Sequence, residues 1–212
     1  MDIQSLRAAA VQNARDVVDA PYLYGGKGRY FDPQLGDSGG AARWATLMEI
    51  KSDGYRWDAT HTGRGLDCTG LVMWAYDSAY NPMGTNYHDN TNPIMWEDAR
   101  QWLDNERLTF RMERRFVFQG PDSVKEFLNK YLADPKQFAL EPGDLIYFLQ
   151  PITVKDMHVI MYVGDGNIIE AGSYDRWYQD NWVVPHTLVD DLKGYSGWFG
   201  FVGLGRVITP AP

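Results

Sequence analysis

The stretch DMHVIMYVGDGNIIEAG, residues 156–172, decides how this chain folds. Two apolar runs, HVIMYV and NIIEA, flank Gly164-Asp165-Gly166, a turn composition that reverses the chain between antiparallel strands. His158 opens the first run and Glu170 closes the second, so closing the hairpin brings an imidazole and a carboxylate side by side. A carboxylate on an apolar strand is costly unless it is paired. His158 is the natural partner for Glu170, and Arg176 is a rival.

Working outward, EPGD at 141–144 turns the chain into the strand-like run LIYFLQ, and GFVGLGRVI closes the chain with another. The N-terminal part reads as helix. An amphipathic pattern runs from about Ile3 to Asp19 and stops at Pro21, and PYLYGGKG follows as an extended piece leading into a glycine turn. Residues 27–65 read as a loop-rich insertion with a short helical candidate near 41–50. A helix from Cys68 to about Tyr80 should stop before Asn81-Pro82. Residues 81–140 read as a second insertion, mixing polar turns with helical candidates at 94–106 and 121–132. Helices first and an antiparallel strand series afterwards make this an α+β chain, expected to form a single domain over 1–212.

Cys68 is the only cysteine in 212 residues, so it has no disulfide partner within the chain. In GLDCTGLVMWAY the small residues Thr69 and Gly70 precede an apolar helical run, which puts Cys68 at a helix N-terminus. The unsatisfied N–H groups there favour thiolate over thiol. A thiolate needs a base and a group to hold that base, and His158 with Glu170 supplies both, giving a candidate Cys–His–Glu arrangement. The bland alternatives are a buried structural thiol and a satisfied core histidine.

The composition limits the partners. A net charge of −8 disfavours nucleic acid or an anionic membrane, since both reward clustered Lys and Arg. No apolar run approaches the length of a membrane span. The segment MDIQSLRAAAVQNARDVVDA reads as an amphipathic helix and not as a signal peptide. His61, His88 and His186 are scattered without ligand spacing, so neither a zinc site nor any other cofactor is expected. The cluster Arg111, Arg114 and Arg115 reads as a solvated face, and Gly25-Gly26-Lys27-Gly28 as a turn, because it lacks the GK[ST] ending of a phosphate loop.

Taken together, PYLYGG, LDCTGLV, EPGDLIYF and HVIMYVGDGNIIEA resemble the NlpC-type peptidases, papain-like cysteine enzymes that cut bacterial cell-wall peptides. All four motifs occur in the family's order, with the cysteine before the histidine. The resemblance implies a papain-like fold with helices packed on a central antiparallel sheet, a nucleophile at Cys68, a base at His158 and a third polar group at Glu170. It further implies that Tyr24 and Asp67 hold the free amino end of a substrate, with Thr69 beside them as a third candidate substrate-binding residue; read from the residues alone, Asp67 is also a helix N-cap candidate and Tyr24 equally a core ring. Glu170 departs from the His, Asn or Gln usual at the third position. The implied substrate is a peptidoglycan stem peptide, cut at a bond between D-glutamate and a diamino acid outside the cytoplasm. An acyltransferase using the same thioester, or a wall-binding module with a vestigial site, are the alternatives.

Overall fold

The computed structural model describes residues 2–18, 66, 68, 70–72, 75–76, 110–149, 157–172, 182–196 and 199–210. Helix α1 (Ile3–Asp16) starts where Asp2 accepts a hydrogen bond from the Ser5 N–H at 2.9 Å, the N-cap geometry that satisfies an orphan donor of the first turn. Its buried stripe, Leu6, Ala10, Val11 and Ala14, follows the helical period. Residues 68, 70–72 and 75–76 are helical as well, and they form the Cys68 helix.

Six strands follow: β1 (Phe110–Gln119), β2 (Leu145–Leu149), β3 (Met157–Gly164), β4 (Asn167–Gly172), β5 (Trp182–Thr187) and β6 (Phe201–Pro210). They form one antiparallel sheet in the order β1-β6-β2-β3-β4-β5. Helix α2 (Ser123–Ala133), a 3₁₀ turn at Pro135–Phe138, and α3 (Leu188–Tyr195) complete the α+β fold. Because side chains alternate across a strand, the central strands serve two cores. Leu145, Tyr147 and Leu149 join Val159, Met161 and Val163 against α1 and the Cys68 helix, whereas Ile146, Phe148, Ile160 and Tyr162 face α2 and α3. Every residue of β2 is therefore buried, which is why LIYFL reads as an unbroken apolar run.

The predicted hairpin is present. Asp165 and Gly166 both take positive φ, 54° and 75°, as a two-residue turn of the hairpin-favoured hand requires. Three elements differ from the sequence expectation. β1 lies inside the stretch read as an insertion with no strand, and the Arg114 and Arg115 of the supposed solvated face belong to it; two register shifts break its alternation, and its charges suit an edge. β5 and α3 were not anticipated either. Pro185 argues against a strand interior, but β5 is an edge strand, where a missing N–H is tolerated. Helix α1 ends at Asp16, three residues short of the predicted Asp19. The helical candidates at 41–50 and 94–106 and the PYLYGG segment fall outside the described residues.

The EPGD turn ties the helical side to the sheet. Asp144, almost fully buried, accepts from Arg7 at 2.9 Å and from Arg206 at 2.6 and 2.7 Å, while Glu141 accepts from Nη1 of each arginine at 2.7 Å. Gly143, at φ 92°, turns its carbonyl toward the Cys68 helix, where the fully buried Tyr76 hydroxyl donates to it at 2.6 Å. Removing that hydroxyl leaves a buried carbonyl without its donor, at a cost of about 1–3 kcal/mol. Tyr76→Phe is expected to lower the denaturant midpoint accordingly without changing the slope of the transition; an unchanged midpoint would show that the bond contributes nothing.

Candidate active site

The sheet brings His158 and Glu170 together, and the Cys68 helix packed on it brings the thiol to the histidine. The β3–β4 ladder pairs Gly164 with Asn167, Tyr162 with Ile168 and Met161 with Ile169, and His158 and Glu170 stand beyond its last pair. His158 Nε2 lies 2.7 Å from Glu170 Oε2, so Nε2 carries the proton and donates it to the carboxylate. That leaves Nδ1 for the thiol, and the Cys68 side chain is hydrogen-bonded to the ring. Cys68 itself is buried at 8% exposure within the core cluster that contains its helix, and it forms no disulfide.

The surroundings hold the imidazole in place. Phe148, paired with His158 across β2 and β3, stacks on its ring at 6.1 Å between centroids and 27° between planes. Tyr195 from α3 packs against the ring at 5.0 Å, and its hydroxyl donates to Glu170 Oε2 at 2.9 Å while lying 3.0 Å from Nε2. Phe199 closes the wall, 5.5 Å from Phe148 and 5.4 Å from Tyr195. On β5, His186 Nε2 lies 3.4 Å from the other carboxylate oxygen, Oε1.

This environment sets the charges. Burial pulls the His158 pKa down, but hydrogen bonds to Cys68 and Glu170, together with the charges of both, outweigh it and hold the ring well above its ordinary value. Glu170 shows the complementary balance. Burial raises its pKa, and the bonds and charge from His158, the Tyr195 hydroxyl and the charge of His186 bring it below the usual carboxylate range. Held between the Cys68 sulfur and the Glu170 carboxylate, the ring takes up a proton readily.

Gly172 flanks the ring from the adjacent strand, β4. Its φ is 152°, and a Cβ there would lie 3.3 Å from His158 Cε1 and 4.0 Å from Glu170 Oε2. Gly172→Ala is expected to displace the imidazole and lower kcat about tenfold or more, since small misplacements of reacting groups are costly, and to lower the melting temperature as well, because φ 152° is a conformation that residues with a side chain rarely adopt. Wild-type turnover in this variant would show that the ring has room to spare.

Of the substrate-binding candidates, Tyr24, Asp67 and Thr69 lie outside the described residues, as does Arg176, the rival partner for Glu170. Tyr195 was missed in the sequence because α3 was not foreseen and LVDDLKGYSG carries no motif. His186 was read as one of several scattered histidines. Its only signal is position: once β5 is paired with β4, Ile168 faces His186 and Glu170 faces Val184, which sets His186 diagonally beside Glu170.

Three comparisons bear on this geometry. Residues 52–183 match the model of the NlpC/P60 family. Among solved structures, the chain is similar to the P60 domain of an antigen from M. avium subspecies paratuberculosis, with 17% identity, coverage of 97% of both chains and a TM-score of 0.45. It is also similar to an N-acetylmuramoyl-L-alanine amidase from Bacteroides uniformis, with 15% identity, coverage of 96% of this chain and 99% of that one, and a TM-score of 0.50. No curated protein matches the chain. The matched segment contains Cys68, His158 and Glu170 and covers well over half of the sequence, so the chain belongs to the NlpC/P60 family.

Proposed function

We propose that this protein is a cysteine hydrolase of peptidoglycan stem peptides, working as one domain, with Cys68 as nucleophile, His158 as proton carrier and Glu170 as the group that orients and charges His158. The observation that carries this reading is the hydrogen-bonded run from the Cys68 thiol through the His158 ring to Glu170. Membership of the NlpC/P60 family supports the substrate class.

In the proposed reaction, Cys68 gives its proton to His158 and its sulfur attacks an amide carbonyl, forming the S–C bond. The backbone N–H of Cys68 contributes to holding the oxyanion. As the intermediate collapses, the C–N bond breaks and the leaving nitrogen takes its proton from the imidazolium. Water then attacks the thioester, giving a proton to His158, and Cys68 leaves as the thiol with a free carboxylic acid as product. Glu170 neither bonds to substrate nor needs to change protonation. It holds Nε2–H and balances the imidazolium charge, as a third triad member does.

The bond between D-glutamate and the diamino acid is the proposed target. The test is mass spectrometry of products from purified wall fragments. A new amino terminus on the diamino acid, abolished by iodoacetamide, is the expected outcome. Release of the stem peptide from the sugar would move the target to the N-acetylmuramoyl-L-alanine bond. Products that persist after complete alkylation of Cys68 would remove the thiol from the chemistry.

A further inference from the structure

A carboxylate in the third position makes a demand that an amide does not. Glu170 is fully buried, and both of its oxygens need donors in place of water. Oε2 is supplied twice, by His158 at 2.7 Å and Tyr195 at 2.9 Å. Oε1 is buried and has no hydrogen-bond partner among the described residues. The polar atom brought toward it is His186 Nε2 at 3.4 Å, on a side chain that is 30% exposed and so can adjust.

We propose that His186 is a positioning residue of this site, acting on His158 through Glu170. Its N–H, brought into line with Oε1, fixes the carboxylate rotation so that Oε2 stays aimed at Nε2, and the imidazole dipole or charge stabilises the buried anion. Tyr195 does the same from α3 on the other oxygen, so Glu170 is held from two elements, β5 and α3. This role exists because residue 170 is a carboxylate, and it rests on the catalytic reading above.

A double-mutant cycle on the full chain separates this role from a merely structural one. With Glu170 in place, His186→Ala is expected to lower kcat about fivefold or more on a stem peptide while KM changes by less than about twofold. His186→Gln should recover most of the loss, because its amide can still donate to Oε1. In a Glu170→Ala background the same His186→Ala change should have no further effect, since the group it acts on is gone. Equal losses in both backgrounds would overturn the proposal and leave His186 a structural residue of β5. A wild-type rate in His186→Ala with Glu170 present would overturn it as well. If Glu170→Ala alone is fully active while Cys68→Ala is not, it is the three-residue reading that fails, and His186 loses its role with it. Far-ultraviolet circular dichroism and melting of each variant keep a folding defect from passing as any of these results.

Discussion

Cys68→Ala and His158→Ala are each expected to abolish peptide release, by about 10⁴-fold or more, because groups that act as one unit fail together when either is removed. Alanine at 68 removes the sulfur that forms the new bond. Alanine at 158 leaves the thiol without a proton acceptor and the leaving nitrogen without a donor. Neither change should unfold the chain: Cys68 is a small side chain at the rim of its cluster, and His158 keeps 13% of its side chain exposed at the start of β3. Turnover of a stem peptide followed by chromatography, with circular dichroism on each variant, measures both effects. A Cys68→Ala variant that retains even a tenth of the activity would contradict the covalent mechanism.

The second large effect is at Glu170. Glu170→Ala is expected to lose about 10²-fold in kcat, within the range that positioned proton transfer supplies, and Glu170→Gln should lose less because its amide oxygen still accepts Nε2–H. The pH profile tells the two roles of the carboxylate apart. The His158 pKa stands well above its ordinary value, with Glu170 among the causes, after the thiol, that outweigh burial. The proton is therefore present below that raised pKa and lost above it. Since the imidazolium must protonate the leaving nitrogen, its loss governs the alkaline limb of activity. Glu170→Gln keeps the hydrogen bond but removes the charge, so the His158 pKa falls and the alkaline limb moves to lower pH. A limb that does not move would mean that Glu170 orients the ring without setting its charge.

Much of this arrangement is legible in the sequence, because its determinants are local. The hairpin of β3 and β4 is written in Gly164-Asp165-Gly166 between two apolar runs, and the Cys68 helix in the small residues ahead of an apolar run. The α+β class follows from the order of those patterns. What the sequence hid depends on partners far away in the chain. β1 looks like a charged loop until β6 pairs with it, and β5 looks broken by Pro185 until it takes the edge. Tyr195 and His186 have no signature of their own, since each reaches Glu170 only after α3 and β5 pack where they do. The ion cluster at EPGD is similarly nonlocal: Arg7 and Arg206 lie 134 and 65 residues from Glu141, and neither stands out in its own segment.

The central claim is that Cys68 carries the acyl group of the substrate. Intact-protein mass spectrometry of a reaction quenched in acid during turnover tests it most directly. The expected result is a protein species heavier by the acyl half of the stem peptide, with the adduct mapped to the peptide containing Cys68 and its decay matching the appearance of the free acid. Steady product release with no such species at any quench time, or an adduct on a residue other than Cys68, would contradict the account.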